Sequence, residues 1–260
     1  MRIIAGAFKG SRLVAPGGSN TRPTSDRVKE SLFSMLDGYG VLKAANVLDL
    51  FAGSGGLGFE AMSRGAAEVD FVDSASASTR AVESNAQKLG IDHSTRIHSS
   101  DVVTFLSSQR GPGQQAFGQQ ASGQRQSHEH VGGADHVGGA EDRGGLDEVQ
   151  NGQVLETRSD LDDDEGRIFD LVFMDPPYPL GEDAVTQILG RLSRLLDMES
   201  IVVVERASRA PEPTMPAALE IFRSKTFGET ALYFVQLKAK SDEASQLASG
   251  VGAAAADESA

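Results

Sequence analysis

The sequence predicts an α/β protein with a doubly wound, mostly parallel sheet of seven strands. Five short apolar runs alternate with helical patterns, which is typical of parallel sheets covered by helices on both faces. These runs are residues 45–53, 68–73, 95–101, 169–174 and 201–205. Two more β-rich runs, 219–227 and 231–237, flank a Gly-Glu-Thr turn and predict an antiparallel hairpin that closes the sheet.

Helical patterns fill the gaps between these strands. The segment "LGFEAMSRGA" begins at a glycine-rich loop and should end near Gly65. Residues 76–90 predict a second helix, with Ala81, Val82, Ala86 and Leu89 on one side. A third helix is predicted near residues 183–196.

Residues 1–40 predict a separate N-terminal arm, made of a small β-hairpin and a helix, that packs on the main domain (41–237). The segments "RIIA" and "SRLVA" surround Gly10 and suggest the hairpin. Thr24 or Ser25 can cap the helix, and Asp26 would lie in its first turn. One face of this helix is apolar, with Val28, Leu32, Met35 and Leu36.

Two segments differ in composition from the rest of the chain. Residues 107–166 form a low-complexity insert of Gly, Gln, Ser and Asp with a net charge of −8, and we expect it to be disordered. The tail, residues 238–260, is expected to be disordered as well. Without these segments about 180 residues remain, which is the size of one ordinary domain.

The bulk composition restricts the classes of protein. The 260 residues include no cysteine, so the sequence predicts no disulfide and no thiolate metal site. No apolar run approaches the ~18 residues needed to span a membrane, and a soluble, cytoplasmic protein is expected. The net charge of −13 comes largely from the insert and tail, whereas residues 1–29 carry +5. Such a basic arm favours a polyanionic partner.

The glycine-rich loop after the first strand admits two interpretations. Gly53, Gly55 and Gly58 fit the dinucleotide fingerprint, and Asp73 stands where a ribose-binding acid belongs, which would suggest NAD. Asp49 argues against NAD, because a carboxylate before the loop would face an anionic pyrophosphate. S-adenosylmethionine carries an α-ammonium and a sulfonium instead, and both cations would favour a nearby carboxylate.

Two further acids follow neighbouring strands of the predicted sheet. Asp73 could accept hydrogen bonds from ribose hydroxyls, and Asp101 could accept one from an adenine amino group. Ligands of open α/β sheets bind in the crevice at the carboxyl ends of the strands. Three acids at successive strand ends, together with the glycine loop, therefore predict a binding site for S-adenosylmethionine.

The fourth strand ends in "DPPY", Asp175 to Tyr178, beside the same crevice. An exocyclic amine of a nucleobase is a poor nucleophile, because its lone pair is delocalised into the ring. Asp175 and the Pro176 carbonyl could accept its hydrogens, and Pro176 and Pro177 would fix the direction of that carbonyl. Tyr178 could stack on the base, and the chemistry would need no metal.

The long motifs of the chain resemble those of the RsmD-like family of 16S ribosomal RNA (guanine-N2) methyltransferases. The resemblance rests on "MRIIAG", "TRPTSDRVKESLFSML", "VLDLFAGSGGLGFEAMSRGA", "DPPY" and "FGETALYF". It implies a Rossmann-like class I methyltransferase fold and catalysis by Asp175, Pro176, Pro177 and Tyr178. The implied cofactor-binding residues are Asp49, Phe51, Gly53, Ser54, Gly55, Gly58, Asp73 and Asp101. In such enzymes the second-strand acid is more often Glu, so Asp73 is shorter by one methylene.

The implied partner is 16S ribosomal RNA, within an assembly intermediate of the 30S subunit and with the protein acting as a monomer. Six basic residues could contact its phosphates: Arg2, Lys9, Arg12, Arg22, Arg27 and Lys29. The target guanine would have to leave its stack to enter the pocket. Alternatives are an adenine-N6 DNA or RNA methyltransferase, a non-catalytic RNA-binding assembly protein and an NAD enzyme.

Overall fold

The computed structural model describes residues 1–17, 25–111, 166–177 and 180–239. Arg22, Tyr178, most of the predicted insert and most of the predicted tail therefore lie outside the described residues. By its internal contacts the chain divides into one unit, Met1–Gln114 with Glu165–Ala260, and a second unit, Gln115–Asp164. The second unit falls entirely outside the described residues, so the fold below is that of the first.

The seven predicted strands form one sheet. Their bounds are β1 (Asn46–Leu50), β2 (Glu68–Asp73), β3 (Thr95–Ser99), β4 (Leu171–Met174), β5 (Ile201–Ala207), β6 (Leu219–Phe227) and β7 (Thr230–Leu237). The strand order is β3-β2-β1-β4-β5-β7-β6. β1 to β5 are mutually parallel, and β7 runs antiparallel to both of its neighbours. The predicted fold class is confirmed, including the antiparallel hairpin at one edge.

In the described ranges five α-helices cover the two faces of this sheet: α1 (Asp26–Tyr39), α2 (Gly56–Ser63), α3 (Ser76–Leu89), α4 (Val102–Ser108) and α5 (Glu182–Leu192). Ser25 caps α1, since its side chain accepts from the N–H of Val28 at 3.3 Å. Gly40 and Gly90 end α1 and α3 in left-handed conformations. The sequence did not predict α4, which begins just after the third strand and reaches Ser108, inside the predicted insert.

Alternating strand residues divide the core into two layers. On one face, the apolar sides of α1, α2 and α3 pack with Val47, Phe71 and Phe173. On the other face, α4 and α5 pack with Leu48, Leu50 and Val172. Ile3 and Leu13 are buried in the first layer, so the segment of the arm that precedes α1, residues 1–17, packs against the α1–α3 face. This segment alone is called the arm below.

The N-terminal hairpin is reduced to a single antiparallel bridge between Arg2 and Arg12. Backbone hydrogen bonds from Ile3 to Ser11 and from Leu13 to Met1, both at 3.0 Å, extend the pairing on either side of it. The predicted hairpin is therefore present as a tight turn rather than as two regular strands.

The described chain leaves the sheet region at Gly111 and returns at Gly166, and the two backbones touch. A Cβ atom built on Gly166 would lie only 2.1 Å from the carbonyl carbon of Gly111. Arg167 forms an ion pair with Glu68, the first residue of β2, at 2.7 Å. Both flanks of the insert are thus at the amino ends of the parallel strands, opposite the predicted crevice.

Among the residues that the structure describes, no helix is long and apolar enough to cross a membrane.

Candidate active site

Asp49 and Asp175 lie at the carboxyl ends of two adjacent strands. Asp49 of β1 is in register with Phe173 of β4, and Asp175 follows two residues later. Because side chains two residues apart share a face of a sheet, both carboxylates project toward the α1–α3 side. Asp49 is only 3% exposed, whereas Asp175 is partly exposed.

The glycine loop between β1 and α2 has an unusual backbone. Phe51, Gly53 and Gly55 have positive φ angles of 62°, 56° and 76°. A left-handed conformation is unfavourable for Phe51, and such strain is commonly found at functional sites. Gly58 has no room for a side chain, since a Cβ atom there would lie 2.4 Å from the ring of Phe71. Its N–H donates to Asp49 at 2.9 Å, which fixes the carboxylate beneath the loop.

Both carboxyl groups are perturbed electrostatically. Burial raises the pKa of Asp49 to about 8, although the Gly58 N–H opposes the shift; the negative charges of Asp175 and Asp73 reinforce it. Burial also raises the pKa of Asp175, to about 6. Near neutral pH, Asp49 is therefore largely protonated and Asp175 is largely ionised. A cation placed beside Asp49 would favour its ionised form.

Asp73 at the end of β2 supports the glycine loop directly. Its two oxygens accept from the N–H groups of Gly53 at 2.9 Å and Ala75 at 2.8 Å. A carboxylate offers about four lone-pair sites, so Asp73 retains acceptor capacity for ribose hydroxyls. The loop and the second strand end are thereby held together at the place where the sequence predicts the cofactor.

Asp101 has a structural role that the sequence analysis did not assign. It lies two residues beyond the end of β3, is exposed and caps α4, with Oδ1 accepting from the Thr104 N–H at 2.9 Å. Hydrogen bonding to Thr104 lowers the pKa of Asp101. The cap leaves the second carboxylate oxygen available, so contact with an adenine amino group stays a prediction.

The described part of the "DPPY" motif forms a rigid turn after β4. Pro176 is buried and Pro177 is exposed, and the Pro177 carbonyl accepts from the N–H of Leu180 at 2.9 Å. Among the backbone hydrogen bonds within the described ranges, none uses the Pro176 carbonyl. The predicted stacking ring, Tyr178, lies outside the described residues.

The sequence did not predict an ion pair next to this turn. Arg206, near the end of β5, donates to Glu182, the first residue of α5. Arg206 Nε and Glu182 Oε2 are buried, and neither has a hydrogen-bond partner within the described part of the chain. The pair links the helix that follows the motif to the neighbouring strand.

Four of the six predicted RNA-contacting residues are exposed on the arm or at the start of α1: Arg2, Lys9, Arg12 and Arg27. Arg2 and Lys9 line the same open cavity, of about 140 Å³, together with Ile3, Ile4 and Gly10. Arg2 also forms an exposed ion pair with Asp26 at 2.9 Å. Arg22 lies outside the described residues.

The prediction that Lys29 contacts RNA is wrong, because its side chain is only 1% exposed. Its ammonium lies 3.2 Å from a carboxylate oxygen of Glu60, which is completely buried in α2. Burial lowers the pKa of Lys29, although Glu60 opposes the shift. Lys29 lies three and four residues before Leu32 and Phe33, so it belongs to the buried side of α1.

Glu60 and Asn85 are buried polar residues that the sequence analysis did not single out. Both are 0% exposed, and both contact the N-terminal arm. A sequence signal existed for each: Glu60 interrupts an apolar helical run, and Asn85 shares a helical face with Ala81 and Ala86. A polar residue on a buried face requires partners, and here those partners belong to the arm.

The strand order, the glycine loop and the acids at the strand ends together define the Rossmann-like fold of class I methyltransferases. Residues 1–116 and 145–236 match the family described as "Conserved hypothetical protein 95", and the chain belongs to this family. The predicted resemblance to RsmD-like proteins is confirmed by the relatives described next.

Several relatives carry names that refer to ribosomal RNA, among them one from Escherichia coli and one from Bacillus subtilis. "Ribosomal RNA small subunit methyltransferase D" of Escherichia coli K12 is 27% identical over 242 residues, which cover 93% of this chain and 92% of that protein. "Putative rRNA methyltransferase YlbH" of Bacillus subtilis is 45% identical over 106 residues, which cover 41% of this chain and 56% of YlbH. A solved structure, "Putative methyltransferase yhhF from Escherichia coli", has a TM-score of 0.61 at 27% identity and covers 92% of this chain and 99% of its own.

Proposed function

We propose that the protein transfers the methyl group of S-adenosylmethionine to the exocyclic N2 of a specific guanine in 16S ribosomal RNA. The observation that carries this proposal is the pairing of two perturbed carboxyl groups, Asp49 and Asp175, on one face at adjacent strand ends. Asp49 suits a cationic cofactor, and Asp175 suits a nucleophilic amine.

The residues around the glycine loop fit S-adenosylmethionine. Asp49 is buried without an ion-pair partner among the described residues, which suits the α-ammonium of the cofactor. Asp73 would receive the ribose hydroxyls, and Asp101 would receive the adenine amino group. The left-handed glycines let the backbone approach the ligand closely. When bound, the cofactor supplies an activated methyl group as the electrophile.

Asp175 and the Pro176 carbonyl would act on the target base. With a pKa of about 6, Asp175 is mostly ionised at neutral pH and can accept a hydrogen bond from N2. Two acceptors on the amine would draw its lone pair out of the aromatic ring and direct it toward the methyl group. As the N2–methyl bond forms, the methyl–sulfur bond breaks and N2 loses one proton, for which Asp175 is the nearest proposed acceptor.

The choice of RNA as substrate draws support from the arm and from the relatives. Arg2, Lys9, Arg12 and Arg27 form an exposed basic set suited to phosphates. The relatives named after ribosomal RNA favour a small-subunit target, and the resemblance to RsmD-like enzymes favours guanine N2 over adenine N6. The proposed substrate is a 30S assembly intermediate in the cytoplasm, with one copy of the protein acting alone.

The experiment is a methyl-transfer assay with radiolabelled S-adenosylmethionine and 30S particles from a strain that lacks the corresponding enzyme. Digestion of the product RNA and mass spectrometry of its nucleosides identify the modified base. We expect N2-methylguanosine at a single position of the 16S RNA. N6-methyladenosine instead, or no transfer to particles or to free 16S RNA, would contradict the proposal.

A further inference from the structure

We propose that Asn85 is a positioning residue that couples the N-terminal arm to the glycine loop. RNA on the arm and cofactor at the loop would then raise each other's affinity. This inference rests on the proposed function, since it assumes both ligands, and it concerns a residue that neither ligand is expected to touch.

Asn85 bridges the arm and the loop through both polar atoms of its side chain. Its Oδ1 accepts from the Val14 N–H at 2.7 Å, and its Nδ2 donates to the carbonyls of Val14 and Ser54, each at 3.1 Å. An amide NH₂ group has two hydrogens, and both have an acceptor here. Because Asn85 is 0% exposed, a broken bond would leave its amide group buried without a partner, which is unfavourable.

Met1 makes a second contact between the arm and the same loop. Ser54 Oγ donates to the sulfur of Met1 at 3.7 Å. The Met1 side chain also covers Gly56, where a Cβ atom would lie 2.0 Å from that sulfur. The Leu13 N–H donates to the Met1 carbonyl at 3.0 Å and pairs the two sides of the arm's turn. The Met1 side contacts the loop directly, and the Val14 side reaches it through Asn85.

The remainder of the arm is fixed to α2, the helix that the glycine loop begins. The N–H groups of Ile4 and Ala5 donate to the Glu60 carboxylate at 2.7 and 3.0 Å. The Phe8 N–H donates to Ser63 Oγ at 2.9 Å. A movement of the arm is therefore transmitted to α2 and to the loop instead of being absorbed by a flexible connection.

Linkage makes such a connection reciprocal. If phosphates on the arm stabilise the arrangement in which Val14 and Ser54 share Asn85, they also stabilise the loop in its cofactor-binding conformation. The cofactor must then strengthen RNA binding by the same factor. Removing the shared side chain should reduce this factor, whatever it does to each affinity separately.

The test measures the affinity for S-adenosylhomocysteine, the unreactive product form of the cofactor, with and without saturating unmethylated 30S particles. We expect the particles to increase the affinity of the unsubstituted protein by about 5- to 50-fold, a usual range for coupled sites. In Asn85→Ala this ratio should fall by at least about threefold, while Met1 and Glu60 still connect the arm to the loop and to α2. Lys88→Ala is the matched control, because Lys88 lies on the same helix and donates to the Arg12 carbonyl of the arm at 2.7 Å. Its ratio should remain that of the unsubstituted protein.

Several outcomes would overturn the coupling. These are a ratio of one in the unsubstituted protein, an unchanged ratio in Asn85→Ala, or an equal loss of the ratio in Lys88→Ala. Weaker binding of both ligands by Asn85→Ala with an unchanged ratio would assign Asn85 a merely structural role. No binding of the cofactor to any form would instead refute the proposed function itself.

Hydrogen exchange on the unsubstituted protein provides a test that does not depend on the variant folding. Binding of 30S particles without cofactor should slow amide exchange in the loop peptide, residues 51–59, by several-fold. Unchanged exchange in this peptide, with protection confined to the arm, would overturn the coupling.

Discussion

Two buried carboxylates, Glu60 and Asp49, lie 11 residues apart in the sequence and in very different surroundings. Glu60 has Lys29 at 3.2 Å, Arg64 at 2.9 Å and two backbone N–H donors from the arm. Within the described part of the chain, Asp49 has one hydrogen bond, from Gly58, and two other acids as its charged neighbours. No ion pair of the described residues includes Asp49.

The difference separates a structural acid, Glu60, from the acid that we propose to bind the cofactor, Asp49. A buried charge without a partner is unfavourable, so the fold completes the surroundings of Glu60 with its own cations and donors. Within the described residues no cation is paired with Asp49. Its pKa is therefore raised to about 8, and an external cation beside it would be favourable. Uncompensated burial, rather than burial alone, therefore marks the proposed cofactor site.

The largest expected effect comes from making Glu60 resemble Asp49. Lys29→Met removes the buried ammonium and should lower the free energy of unfolding by about 3 kcal/mol, because the buried Glu60 carboxylate then keeps only Arg64 and the two N–H donors of the arm. Urea unfolding followed by circular dichroism measures the change. Asp26→Ala, which removes the exposed Arg2–Asp26 ion pair, should lower it by about 1 kcal/mol or less. Similar losses in the two variants would mean that the buried pair has no special role.

Substitution of Asp175 should remove chemistry while leaving the fold. Asp175→Ala deletes the proposed acceptor of the amine hydrogen and should lower kcat by roughly 10²–10³-fold, as for other groups that stabilise a transition state. Cofactor affinity should change by less than about threefold, because the residue faces the base. Asp183→Ala, an exposed acid in the first turn of α5, is the control and should keep full activity. Full methyl transfer by Asp175→Ala would exclude the proposed catalytic role.

Asp49→Asn should stabilise the free protein while weakening its cofactor site. The raised pKa means that Asp49 favours the folded state while neutral, and this contribution is lost as pH rises from about 4 toward 8. Asparagine stays neutral, so the free energy of unfolding of the variant should rise relative to that of the unsubstituted protein across that range. By pH 8 the gain should be at least about 1 kcal/mol, given that one pKa unit corresponds to about 1.4 kcal/mol. Thermal unfolding at pH 5 and pH 8 tests this, and a gain that is equal at both pH values would contradict the assigned pKa.

The smallest effect is expected for the insert, residues 107–166, which the sequence predicts to be disordered. Its flanks, Gly111 and Gly166, touch each other at the edge of the sheet opposite Asp49 and Asp175. Deletion of residues 112–165 with a short Gly-Ser joint should therefore leave cofactor affinity within about twofold to threefold. Calorimetric titration measures it, and a tenfold loss would show that the insert contributes to the site.

Much of the fold was predictable because its signals are local. The strand-and-helix alternation, the caps at Ser25 and Gly90 and the glycine loop each depend on a few neighbouring residues. The helix α4 was missed because it is short and adjoins the low-complexity insert. Asp101 directly before the apolar residues Val102 and Val103 was nevertheless a capping signal.

The site was less predictable, since its chemistry depends on contacts between distant segments. The Asp49 and Asp175 positions followed from strand ends, but the lack of a counter-ion at Asp49 emerges only when the surrounding elements are placed. Lys29 was predicted to contact RNA because the sequence does not distinguish a buried lysine from the exposed basic residues near it. Its partner, Glu60, lies 31 residues away in the sequence.

The most direct test of the contrast between the two acids is proton release on cofactor binding. Calorimetric titration of S-adenosylmethionine at pH 7, in two buffers of different ionisation enthalpy, gives the number of protons released. If the cofactor's ammonium pairs with Asp49, the pKa of Asp49 falls from about 8 on binding, and more than half a proton should be released per site. Tight binding with no proton release would show that Asp49 does not receive the cation, and the proposed cofactor site would be wrong.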